Sequence, residues 1–216
     1  MILIRFYLEY ATAERAFLER LAVEGQHPSA LFIGCSDSRV IPELLTDAAP
    51  GELFVVRNVG NHVPAHDDPD RSIGAAIEFA VGQLGVREVI VCGHDGCGGV
   101  KAALDGLLGI EPDSELAAWL HGLLPAVARA RAFETDSSVQ FRRAVEENVL
   151  EGIANLMTMP SVATSVAAGQ VRLHGWVYGL HEATLRVYDA EQDGFVAADG
   201  TGLDSAAFLM TPSEKE

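Results

Sequence analysis

What most restricts this chain is a set of short apolar runs that each stop at a polar turn. Residues 29–34 (SALFIG) run into Cys35, and residues 88–93 (EVIVCG) run into His94. Residues 52–57 (ELFVVR) follow the turn signal Pro50-Gly51, and residues 171–180 and 185–189 have the same character. The runs are continuous in Val, Ile and Leu rather than alternating, which predicts strands covered on both faces, as in a parallel sheet. Helical patterns separate them. Residues 11–23 space Ala13, Phe17 and Leu21 a turn apart, and residues 72–84 open on a Ser72 cap with Ile73, Ile77, Ala80 and Leu84 on one stripe. Residues 100–107 follow Cys97, residues 114–132 are helical by composition, and residues 137–157 repeat Phe141, Val145, Val149, Ile153 and Leu156. Strands alternating with helices predict an α/β fold, a mostly parallel central sheet flanked by helices. No repeat or linker divides the 216 residues, so a single domain over 1–216 is expected, with a loose tail from Thr211.

Composition narrows the function classes. Half the residues are hydrophobic (49%), enough for a sizeable core, yet no run approaches the roughly 18 apolar residues that cross a bilayer. Arg5 and Glu9 interrupt the apolar start and no small-residue cleavage site follows, so a cytoplasmic protein without a secretory signal is expected. The net charge of −16, with no basic stripe, argues against a nucleic-acid partner and serves solubility. Three cysteines are too few for a disulfide framework and suggest metal or catalytic duty for some of them.

Cys35 and His94 each sit just past the carboxyl end of an expected buried strand, the edge at which open α/β sheets bind ligands. Cys97 follows His94 by three residues, on the first turn of the next helix. Two thiolates and one imidazole suit zinc in a tetrahedron whose fourth position stays open, the arrangement of a catalytic rather than a structural site. Zinc in such a site lowers the pKa of water to about 7. Asp37 and Arg39 lie within one turn of Cys35. Asp37 can take the fourth position itself, or pair with Arg39 and accept a hydrogen bond from the attacking water. A zinc-binding protein without catalysis would have no need of this pair.

Taken together, C-S-D-S-R at 35–39 and G-H-D-G-C-G-G at 93–99 resemble the β-class carbonic anhydrases, and the likeness extends over roughly residues 25–189 through R-N-V-G-N at 57–61 and L-H-G-W-V-Y at 173–178. The resemblance implies one zinc ion per chain held by Cys35, His94 and Cys97, with the zinc site at the carboxyl ends of the strands. It implies Asp37–Arg39 as the catalytic dyad, with Asp37 a zinc ligand only in a closed, low-pH state. It further implies a homodimer or a dimer of dimers, with the cleft near the dimer interface. The sequence is closer to the plant-type branch, where Gln26, Phe54, Val59, Phe79 and the Gly98 amide match substrate-binding positions. An apolar wall suits carbon dioxide, which is small and uncharged.

Three departures from the family pattern stand out: Phe79 replaces a tyrosine, Phe32 replaces the tryptophan of the bicarbonate-regulated branch although Arg57 remains, and the expected N-terminal arm is short or unusual before Ala13. The expected activity is reversible hydration of carbon dioxide to bicarbonate. Hydrolysis of carbonyl sulfide or carbon disulfide, also linear and apolar, is the alternative on the same scaffold. Outside this set, Cys92 reads as a buried thiol, His174 as a packed strand-end residue, and Asp67, Asp68 and Asp70 as a solvated loop. His62 and His66 read as solvated loop histidines whose titration range would suit proton transfer. His27, His121 and His181 lack ligand spacing.

Overall fold

The computed structural model describes residues 10–68 and 70–198. The residues before position 10 and the tail from Thr211 lie outside that range. The architecture is the expected one: a central sheet flanked by helices, with six strands among the described residues in the order β2-β1-β3-β4-β5-β6. Strands β1 (Ala30–Cys35), β2 (Leu53–Asn58), β3 (Glu88–His94) and β4 (Arg172–Gly179) are mutually parallel where they pair, and β5 (Thr184–Asp189) and β6 (Gly194–Ala197) add on antiparallel. The short β6 was not expected from the sequence.

Two of the continuous apolar runs, β1 and β3, form the middle of the sheet, whereas β2 lies at its edge and is buried only at Val56, so the expected cover on both faces fails there. Every residue of β1 is buried, as is β3 after its first residue. Beyond β3, coverage is one-sided. In β4 the buried residues alternate with half-buried His174, Trp176 and Tyr178, so the expectation of cover on both faces fails there. The well-covered face carries the main core, where Val91, Val145, Val149, Ile153 and Leu173 meet. The other face carries a smaller cluster of Phe32, Ile90 and Cys92 with Leu53, Val55 and Trp176 against them.

Helices fill the connections: α1 (Arg15–Glu24), α2 (Pro42–Thr46), α3 (Arg71–Glu78), α4 (Gly98–Leu104), α5 (Glu115–Leu120), α6 (Leu124–Phe133), α7 (Ser137–Met157) and α8 (Pro160–Ala167). The long helix α7 is anchored by Asp136, which accepts from the amides of Ser138 and Val139. It lies across β3 and β4 so closely that a Cβ on Gly93 would meet Val149 at 2.9 Å and one on Gly175 would meet Ile153 at 3.0 Å.

Two helix expectations need correction. Helix α3 is capped by Asp70, whose carboxylate accepts from the amide of Ser72, so Ser72 is a donor and not the cap, and Asp70 is not merely a solvated acid. Its last stretch, Phe79–Leu84, widens into a π-helical turn before Gly85. The 114–132 stretch is not one helix. Ser114 caps α5, a 3-10 turn follows at His121–Leu123, and α6 begins at Leu124 with Pro125 as its second residue, which has no N–H to continue the preceding ladder. Helix α1 forms nearly where its stripe predicts, yet none of its residues is buried in this chain.

Candidate metal centre

The parallel strands β1 and β3 are direct neighbours and end at the same edge, so Cys35 and His94 arrive side by side. The turn after β3 brings back Cys97, which caps the start of α4. Their three donor atoms lie within 4.8 Å of one another, and all three side chains are buried. The two sulfurs are 3.9 Å apart and both cysteines are free, as is Cys92.

His94 has a defined tautomer. Its Nδ1 is 2.9 Å from the Asp95 carbonyl, which can only accept, so Nδ1 carries the hydrogen and Nε2 is left with a lone pair. That Nε2 is buried and has no hydrogen-bond partner. A buried polar atom left unpaired costs about 1–3 kcal/mol unless something not yet bound satisfies it.

The thiols are electrostatically unlike. The hydrogen bond from Cys97 pulls the Cys35 thiol far below its ordinary value; burial opposes this, and contacts from His94 and the amides of Asp37 and Gly60 assist it. Cys97 is pushed upward by the same thiolate and by burial. A pair that shares one proton is also a pair that a cation can bridge, because the cation takes the proton's place. Cys92 packs in the smaller cluster with Phe32 and Ile90, wholly buried, its thiol raised to about 12 by burial, in keeping with a packing role.

Asp37 stands beside this triangle. Its Oδ2 is 3.9 Å from His94 Nε2. Arg39 grips both carboxylate oxygens, Nε to Oδ1 at 2.9 Å and Nη2 to Oδ2 at 2.6 Å, while the Arg39 amide also donates to Oδ1. Those hydrogen bonds hold the Asp37 carboxyl well below the usual range, so it is an acceptor across ordinary pH. Arg57 pins the loop itself by donating to the Cys35 and Asp37 carbonyls at 2.9 and 2.7 Å.

The other candidates divide. Phe54 and Phe79 pack together with ring centroids 6.0 Å apart. Val59 and Phe79 are 40% and 44% exposed, too open for ordinary core. Val59 also abuts the start of α4, where a Cβ on Gly99 would meet it at 3.2 Å. Gly98, the first residue of α4, is exposed, with nothing near its Cα on the side-chain side. Gln26 is exposed in the loop between α1 and β1, outside the contacts that join the apolar residues.

His62 is corrected. It is 7% exposed, with its ring edge-on to Trp119 at 5.2 Å and against Gly122, and burial lowers its pKa despite the acids Asp68, Glu151 and Asp70. It is not a solvated loop histidine. His66 is exposed and lines a depression with Asp70, Arg71 and Pro160 instead. His174 sits inside β4, not at its end, and meets Glu88 at 2.6 Å. Sequence reasoning passed over Arg57 as a clamp, and over Trp119 and Asn148, which hold the Val59 and Gly60 carbonyls, both at 2.8 Å.

Known proteins point the same way. A family model described as carbonic anhydrase matches residues 30–185. The carbonic anhydrase of Pseudomonas aeruginosa is 40% identical over 195 residues, covering 90% of this chain and 88% of that protein. Among solved structures, the β-carbonic anhydrase CcaA superposes with a TM-score of 0.82 at 36% identity, over 90% of this chain and 88% of the other. A tetrameric β-carbonic anhydrase of Sordaria macrospora gives 0.72 at 31% identity, over 82% and 88%. Among the described residues no helix is long and apolar enough to cross a membrane.

Proposed function

The chain belongs to the β-carbonic anhydrase family, and from that premise we propose that it catalyses the reversible hydration of carbon dioxide to bicarbonate and a proton, using one zinc ion per chain. The observation that carries this reading is His94 Nε2, buried without a partner beside two thiol sulfurs. Two sulfurs and one imidazole form a donor set that fits zinc and leaves a fourth position. Zinc, when bound, supplies the Lewis acidity that makes water a nucleophile near neutral pH.

The chain's own residues do the rest. Arg39 keeps Asp37 ionised and aimed at the triangle, so Asp37 accepts the nucleophile's hydrogen bond and turns its lone pair towards the substrate carbon. Released from Arg39 at low pH, Asp37, 3.9 Å from His94 Nε2, is also the residue that would hold zinc in a closed state. Phe54, Val59 and Phe79 form a dry wall for an uncharged substrate, and the Gly98 amide orients one of its oxygens. Gln26, reaching in from a second subunit, completes the cleft. With Phe at position 79, no hydroxyl acts there.

A homodimer or dimer of dimers is supported by the exposed Val59 and Phe79, by a helix α1 with no buried residue, and by the tetrameric relative. Residues 1–216 then act as one domain, and the free thiols suit the cytoplasm. Stopped-flow hydration on zinc-loaded wild type and Cys35→Ser tests the proposal. Equal rates for the two would sink it, and faster turnover of carbonyl sulfide or carbon disulfide would assign the alternative.

A further inference from the structure

We infer that Cys35 and Cys97 are an oxidative modification site of the zinc-free chain: a peroxide joins them in a disulfide, which abolishes the metal centre until a thiol reductant reopens it. The inference rests on the metal-centre reading above, because the same two sulfurs would hold zinc.

Geometry singles out this pair. The two sulfurs are 3.9 Å apart, although the residues are separated by 62 positions in sequence. A disulfide bond is about 2.05 Å long, so from 3.9 Å the sulfurs must close roughly 1.9 Å. The two ends are unequally free to do so. Cys35 closes β1 and Arg57 holds its carbonyl at 2.9 Å, so its backbone stays with the sheet. Cys97 is the N-cap of α4 and stands between Gly96, at φ 68°, and Gly98, which has nothing near its side-chain position. Glycine on both sides lets that residue turn where a bulkier neighbour would resist. The third thiol takes no part: Cys92 is packed against Phe32 and Ile90, and its S–H donates to the Gly93 carbonyl at 3.4 Å.

Both members of the pair are buried, which calls for a small oxidant, and hydrogen peroxide is one. One thiol takes an oxygen from the peroxide and becomes a sulfenic acid as the first water leaves. The other sulfur then displaces that oxygen, the S–S bond forms, and the second water carries off the remaining thiol hydrogen. A buried thiol on its own is ordinarily inert, or oxidises beyond recovery once attacked. A second thiol in reach halts the ladder at a reducible bond. Afterwards neither sulfur is a thiolate, and of the three donors only His94 Nε2 is left, too few to hold zinc. Zinc, when bound, ties up both thiolates, so metal and disulfide exclude one another.

The test treats the full chain with hydrogen peroxide in three forms: zinc-free wild type, zinc-loaded wild type and zinc-free Cys92→Ser. Thiols are titrated in denaturant, intact mass is measured, and peptides are mapped without reduction. Zinc-free wild type is expected to lose two of its three thiols and two hydrogen masses, with Cys35 and Cys97 in one linked peptide. Cys92→Ser is expected to give the same link. Zinc-loaded protein is expected to keep all three thiols over the same interval, and dithiothreitol to restore both thiols and zinc binding measured by chelator competition. Sulfinic acid without a link, a link through Cys92, or a link between chains overturns the inference. Reduced wild type that binds no zinc in the chelator competition overturns the metal-centre reading instead, and with it the claim that zinc and the disulfide exclude one another.

Discussion

Gly93 precedes His94 on β3 and lies directly under α7, so adding one methyl group there tests both packing and chemistry. In Gly93→Ala the new carbon would stand 2.9 Å from Val149 Cγ2 and 3.0 Å from Val145 Cγ1. Non-bonded carbons rest at about 3.5–4.0 Å, so each contact must open by about 0.5–1 Å. Neither valine can yield alone, because both are buried and a β-branched residue in a helix keeps essentially one rotamer. Helix or strand must shift, and overpacking of this kind costs about 1–3 kcal/mol; with two clashes the upper half of that range is expected. Val149→Ala alone should cost about 1.6 kcal/mol in lost transfer energy, from two methyl-sized groups, plus a cavity term. In the double variant the new methyl occupies that cavity, so the combined loss should fall short of the sum by at least about 1 kcal/mol. Urea midpoints at constant m-value measure all three. Because His94 is the next residue, Gly93→Ala should also lower zinc affinity, and Val149→Ala should partly restore it. Additivity within about 0.5 kcal/mol, or a wild-type midpoint for Gly93→Ala, would refute the argument that strand and helix are in closed contact.

Other expectations concern charge. Asp37→Asn keeps the shape and loses the ionised acceptor, so the hydration rate by stopped flow should fall at least roughly 10–100-fold while zinc content is retained. Burial holds the His62 pKa below its ordinary value, so the unfolded chain binds the extra proton first. The stability this contributes is complete above about pH 6.5 and falls as pH drops from there towards the folded-state pKa. Wild type should accordingly lose more of its urea midpoint than His62→Gln between about pH 7.5 and 5.5; parallel losses would contradict it. The buried carboxylate of Glu147 is paired with both Arg129 and Arg143. Replacing both arginines with Met should cost about 3–5 kcal/mol by denaturant titration, and one alone clearly less.

The residues that announced themselves in sequence are those whose role is fixed by position along a strand. Cys35 and His94 end buried runs, and parallel neighbours ending at one edge must bring them together. Asp37 and Arg39 were legible because their pairing is local, two residues apart. What escaped depends on contacts between distant segments. His62 looks solvated until Trp119 and Gly122 close over it, some sixty residues later. Asp70 and Ser72 are both plausible caps, and only backbone geometry chooses between them. The one-sided cover of β4 was hard to read because Trp176 and Tyr178 carry large apolar rings that pack as readily in a core as at its edge. Trp119 and Asn148 carry no motif, since each acts by donating to a backbone carbonyl.

The crossover between β3 and β4 has a consequence for biosynthesis. Glu88 pairs with Arg172, and nearly all the helices that wall the centre, α7 among them, lie between those two strands. All three donors have been made once Cys97 is added, whereas β4 ends only at Gly179. At about 5–20 residues per second, that separation leaves the thiols and imidazole without their walls for about 4–16 s. The donors come first and the cage second, so an ion captured during translation meets a more open site than one reloading the finished chain.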